Sequence, residues 1–147
     1  MTKNLYDVYG TEDELEIGGA WKTLGNARIK VARSGMKNTE YTKAFTKVKK
    51  KYADVDLEAL EDKELAPIIA EIFVRGVIKA WEIKDDKGKW KSGMILLKDG
   101  VPVEVPVNVQ NMKKCLVDLP DLHDELKKFA ENRESFQTKD EEEDLKN

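Results

Sequence analysis

The chain has 147 residues and a mass of 16.8 kDa, a size at which one hydrophobic core is normal and two would each be marginal. Hydrophobic residues make up 40% and charged residues 37%, which describes a highly charged exterior over a modest core. Of its 26 basic and 29 acidic residues, the last ten positions hold two and five, leaving 24 of each in the body; such a balance removes the electrostatic case for nucleic-acid binding, which needs a concentrated positive surface to displace counterions.

The first 13 residues are polar and weakly patterned, and they read as a loosely held arm that reaches toward a neighbour. Leu15 to Leu24 and Ala27 to Arg33 read as a hairpin, with Gly25-Asn26 at its turn and Gly18-Gly19 suggesting a bulge in the first strand. In the second strand Ala27, Ile29 and Val31 alternate with Arg28 and Lys30, the period of a strand with one buried face and one wet, positive face. Asn38 or Thr39 can cap a helix whose apolar line is Tyr41, Phe45, Val48 and Tyr52. A short turn around Leu57 to Leu60 then leads to the most apolar stretch. From Leu65 to Ala80-Trp81-Glu82 that stretch reads as the central core helix, with Leu65, Ile69, Ile72, Gly76 and Ala80 on one line and Ile68, Phe73, Val77 and Trp81 beside it.

Asp85, Asp86 and Gly88 form a turn, and Met94 to Leu97 with Val101 to Val105 flank Asp99-Gly100, a strong hairpin signal. Pro102 and Pro106 mark the second of these strands as an edge, because proline has no N–H to give a ladder. Asn108 can cap a helix carrying Met112, Cys115, Leu116 and Leu119, which Pro120 breaks or restarts. The last helix aligns Leu122, Leu126, Phe129, Arg133 and Phe136. Beyond it apolar periodicity ends. The expected fold is α+β and mainly α-helical, with about four helices, an N-terminal β-hairpin and a second hairpin near 94–105. Residues 1–136 form one domain, and 137–147 a disordered acidic tail.

Chemistry is defined here mostly by what is missing. His123 is the only histidine and Cys115 the only cysteine, and they fall on different predicted helices. No metal site, catalytic triad or intrachain disulfide follows from such a pair. His123 reads as a solvated side chain among Asp121, Asp124 and Glu125, and Cys115 as a small buried hydrophobe. Asp85-Asp86-Lys87-Gly88 lacks the acidic spacing of a calcium loop, and no phosphate-binding or nucleophile-elbow glycine motif occurs. The expectation is therefore a protein that is not an enzyme and takes no cofactor or small-molecule substrate. Pro67, Glu71, Arg75 and Lys79 interrupt Leu65 to Ile83 too often for a helix in lipid, and the first residues lack the apolar run of a signal peptide.

Candidate partner contacts come from the surface. Arg28 and Lys30 point from the wet face of their strand, and Trp90 lies between Lys89 and Lys91 with no apolar neighbour in sequence. Trp21 on the preceding strand joins them. Lys47, Lys49, Lys50 and Lys51 read as a solvated helix end whose charge suits the helix C-terminus.

An early Trp21, the strand Ala27 to Arg33, the turn Ser34-Gly35 and the helix Asn38 to Tyr52 precede a core helix closing on Ala80-Trp81-Glu82. Leu119-Pro120-Asp121-Leu122 then opens a helix that ends with Ala130-Glu131-Asn132 and Phe136. In this order the chain resembles the tail assembly chaperones of long-tailed bacteriophages. The resemblance implies a non-catalytic protein of the host cell cytoplasm that oligomerises. It would bind the tape measure protein and keep it soluble until tail tube protein polymerises around it. The segment from Gly88 to Asn108 is longer than the resemblance leads one to expect. A different class of function also fits: a stand-alone adaptor or regulatory module that adds a partner strand to the edge of the 94–105 hairpin.

Overall fold

A computed structural model describes residues 4–35 and 37–137. Two short helices open the chain, α1 (Leu5–Tyr9) and α2 (Asp13–Gly18), followed by β1 (Ala20–Leu24) and β2 (Ala27–Val31). Helix α3 (Thr39–Lys51), a 3-10 turn (Leu57–Ala59) and helix α4 (Asp62–Gly76) come next. They lead into β3 (Ile78–Lys84), β4 (Trp90–Ser92) and the hairpin β5 (Met94–Lys98) and β6 (Val101–Val105). Helices α5 (Val109–Asp118) and α6 (Pro120–Glu131) and a 3-10 turn (Arg133–Phe136) complete the described chain. Strands β1-β2-β3-β4 form one antiparallel sheet in that order, and β5-β6 form a second.

The expectation of a mainly helical chain with about four helices is corrected, while both expected hairpins are present, as β1-β2 and β5-β6. Helix accounts for 51% and strand for 23% of the structure, and six strands build two antiparallel sheets. The core helix stops at Gly76, and the Ala80-Trp81-Glu82 that seemed to close it lies in β3 at the centre of the four-stranded sheet. A register shift explains the misreading. Lys30 pairs with Ala80 but Val31 pairs with Ile78, so Lys79 is an extra residue. This bulge breaks the two-residue period and leaves Val77, Ile78 and Trp81 buried at helix-like spacing.

The N-terminus also differs. Residues 13–18 form a helix where a strand was expected, and Gly18-Gly19 marks its end, not a bulge: Gly19 takes φ +100 and packs against the Val31 backbone. Nor are residues 4–13 the loosely held arm that was expected. Asn4 and Asp7 cap α1 reciprocally, and Gln137 donates from Nε2 to the carbonyls of Val8 and Gly10. Gln137 thus belongs to the folded body, while the acidic tail expected after it lies outside the described residues.

One cluster joins the elements. Ile29, Val31 and Trp81 on the inner face of the sheet meet Phe73, Val74 and Val77 around α4, Met94 and Leu96 of β5, and Leu116 and Leu126 of α5 and α6. Helix α4 turns a different face inward than its apolar line suggested: Ile68, Ala70, Glu71, Phe73 and Val74 are buried while Ile69 is exposed. Asn38 secures the start of α3. Its Oδ1 accepts from the Tyr41 N–H at 3.2 Å, and its Nδ2 donates to the carbonyls of Arg33 and Gly76 at 3.0 and 2.8 Å. Asp99 and Gly100 both take positive φ, as the two-residue hairpin turn requires.

Candidate functional site

Antiparallel pairing brings all four candidate contact residues onto the outer face of the four-stranded sheet. Trp21 pairs with Lys30, Arg28 with Glu82, and Lys84 with Trp90. In a pleated sheet such partners and their diagonal neighbours lie within reach of long side chains. The Arg28 guanidinium sits 4.1 Å from the Trp21 ring centroid and 4.8 Å from that of Trp90, so the two indoles flank one cation. Its Nε donates to Glu82 Oε1 at 2.7 Å. Lys30 approaches the Trp21 ring at 5.7 Å and Lys84 the Trp90 ring at 5.1 Å. Charge and π-face thus alternate across four strands, each cation–π contact worth about 0.5–1 kcal/mol at such exposure. Part of each indole is covered by these cations, and the remainder faces solvent.

A second feature lies on the other side of the sheet. An apolar cleft of about 440 Å³ opens between the sheet, the β5-β6 hairpin and the α5-α6 corner, with Leu24, Ile83, Ile95, Leu119 and Leu122 among its walls. Ile95 and Leu119 remain exposed at its mouth, and Leu97, one step along β5 on the same face as Ile95, is 58% exposed. Beside this face Lys91 of β4 and Glu104 of β6 make an ion pair at 2.8 Å that ties the two sheets together. Sequence reasoning missed this cleft. The signal was in Met94-Ile95-Leu96-Leu97, an unbroken run that puts apolar side chains on both faces of the strand; the structure buries Met94 and Leu96 and leaves Ile95 and Leu97 exposed.

Two buried carboxylates, Glu71 and Glu16, tie elements of the fold together. Glu71 is buried on α4, where its carboxylate meets Lys51 of α3 at 3.1 Å, Arg75 at 3.2 Å and Lys113 of α5 at 3.1 Å. Burial pushes this carboxyl up, and the bonds from Lys113 and Lys51 outweigh that and hold it below the usual range. Glu16 on α2 is likewise buried against Arg33 and Lys37 at 2.7 and 3.2 Å, with its pKa lowered by those partners against the opposing effect of burial. Cys115 is buried, and desolvation pushes its thiol up to about 11. His123 is not the solvated side chain expected from its acidic neighbours. It is half-buried against Phe73, 5.1 Å between ring centroids, and burial lowers its pKa.

Among the described residues no group of three or more His, Cys, Asp or Glu is placed to hold a metal ion, and no helix is long and apolar enough to cross a membrane. Compared with family models, curated proteins and solved structures, the chain finds no match.

Proposed function

We propose that this protein is a phage tail assembly chaperone: a non-enzymatic, oligomeric protein of the host cytoplasm that binds the tape measure protein and hands it over to tail tube protein. The apolar cleft with Ile95, Leu97 and Leu119 exposed at its mouth carries this reading. Uncovered apolar side chains rimmed by charge suit transient cover of a partner's apolar helix faces. A site of this size supports the moderate affinity of a contact that tube subunits must later displace. The Trp21-Arg28-Trp90 face offers a second contact through its part-exposed indoles.

Co-expression with the long, helix-rich tape measure protein of the same phage tests this directly. The expected result is a soluble complex, lost when Leu97→Asp or Trp90→Ala is introduced into an otherwise folded chain. A tape measure protein that stays in the pellet beside abundant soluble partner refutes the reading. One observation favours the adaptor or regulatory alternative: β5-β6 is a two-stranded sheet of its own, which leaves strand edges free for a partner strand. Under that reading Leu97→Asp abolishes capture of an extended peptide while tape measure protein is ignored.

A further inference from the structure

The four-stranded sheet is covered on one side only. Ile29, Val31, Trp81 and Ile83 on its inner face are buried, whereas no residue on its outer face is, not even the small Ala80. An antiparallel sheet can keep one face in water, and polar side chains then line it. Here two large aromatics line it as well. Trp21 is 36% exposed and Trp90 half-buried, and because both ring centroids lie within 5 Å of the Arg28 guanidinium, the two indoles are no more than about 9 Å apart. Arg28 is itself fixed by its bond to Glu82, so the pair of rings is held ready.

The charge on this face is one-sided. Glu82 is its single carboxylate, and Arg28 takes it up. That leaves Lys30 and Lys84, which have no ion-pair partner among the described residues and instead approach the rings of Trp21 and Trp90. Asp85 and Asp86, in the loop beyond Lys84, are matched by Lys87 and Lys89 of the same loop. The even balance over the body of the chain is therefore not the balance of this surface, which the antiparallel pairing assembles from cations far apart in sequence.

We infer that the outer face of the sheet binds single-stranded nucleic acid, with bases on the indoles of Trp21 and Trp90 and phosphates at Lys30 and Lys84. The combination of groups selects that occupant. Every base has a flat π-face that an indole accepts, and cations beside the ring neutralise the backbone that links one base to the next. Open four-stranded sheets with part-exposed aromatics hold two or three splayed bases in this way, and two or three nucleotides at ~3.4 Å per stacked step span the distance between the indoles. A duplex keeps its base faces against one another and offers the rings nothing. An acidic polypeptide would engage the lysines and leave the indoles idle, and a neutral sugar would do the opposite.

The inference goes beyond the tape measure reading, because it names a partner of a different class. Oligo(U) and oligo(dT) strands of about 12 nucleotides, titrated into the full chain at about 50 mM salt, test it through tryptophan fluorescence and the anisotropy of a labelled strand. The expected result is quenching with a Kd of about 1–100 μM and a log–log salt slope of about −1.5, from roughly −0.7 for each of two phosphates met by a lysine. Trp21→Ala or Trp90→Ala is expected to weaken binding at least about fivefold, and Lys30→Gln or Lys84→Gln to bring the slope about 0.7 closer to zero. Circular dichroism checks that each variant folds, and the lysine variants carry the test where a tryptophan variant does not. Binding of either strand with these losses supports the inference, and a preference between the two tells RNA from DNA. No binding of either strand at about 1 mM chain overturns it. So does binding that the folded tryptophan and lysine variants retain in full, or equal affinity for a duplex or for polyglutamate, which marks a surface that responds to charge alone. Tape measure protein kept soluble by a chain that binds no oligonucleotide, or the reverse, separates this inference from the proposed function.

Discussion

Glu71 is where a single atom-scale change has the largest expected effect. Its carboxylate, buried on α4, joins α3 through Lys51 and α5 through Lys113 while also holding Arg75 on its own helix. Substituting Glu71→Gln keeps the shape and removes the charge, leaving three cations to repel one another around an amide. Breaking a fully buried pair costs about 3–5 kcal/mol. Here the Lys51 side chain is 52% exposed, whereas those of Lys113 and Arg75 are 19% and 28% exposed. Water recovers part of the loss, so the expected cost is about 2–3 kcal/mol, a fall in Tm of roughly 6–10 °C for a chain of this length. Urea unfolding followed by circular dichroism measures it, with Glu40→Gln, whose exposed pair with Lys43 spans 3.8 Å, as a control expected to change almost nothing. The pH dependence gives an independent check. Because the folded pKa of Glu71 is lowered, its contribution is complete above the unfolded carboxyl's pKa and disappears as pH falls through the folded one. The gap between parent and variant should therefore be full at neutral pH and close in acid, beginning near pH 4. A Glu71→Gln protein within about 0.5 kcal/mol of the parent at neutral pH, or a gap that widens in acid, refutes the reasoning.

Three further outcomes are expected. Asn38→Ala removes a helix cap and leaves two carbonyls in a buried site without their donor, a loss of about 2–4 kcal/mol measurable by urea titration. Gly76→Ala sets a Cβ 2.7 Å from the Tyr41 Cα, which forces α3 and α4 apart and costs about 1–3 kcal/mol by the same assay. Cys115, buried with its thiol raised to about 11, should remain unmodified by a disulfide reagent at mildly alkaline pH until denaturant is added; rapid modification of the native chain contradicts its placement.

Elements defined by neighbours a few residues apart were legible before any coordinates. The caps at Asn38 and Asn108, the Asp99-Gly100 turn, the alternation of β2 and the Leu122-Leu126-Phe129 line all follow from local hydrogen bonding and period, whereas Arg133 and Phe136, expected on that same helix line, lie on the 3-10 turn after α6 ends at Glu131. Misreadings arose where a distant segment overrode the local pattern. β3 looked helical because a bulge against β2 broke its period, and Phe45 and Ile69, both on apparent core lines, are 48% and 45% exposed. Trp21, Arg28, Lys30 and Trp90 could each be singled out from sequence, but not that they would share a patch.

What the amino-acid order determined by itself is therefore the caps, turns and periods of segments such as α3, β2, the β5-β6 hairpin and α5. Only the tertiary structure decided which faces those segments turn inward, that Glu71 and Glu16 are buried, and that strands from residues 20–31 and 78–92 place two indoles around Arg28. The physical reason is range. Caps, turns and periods are set by sterics and hydrogen bonds within a few residues, whereas register and burial depend on which remote surface arrives to cover a side chain, and a slip of one residue would send every strand side chain to the opposite face.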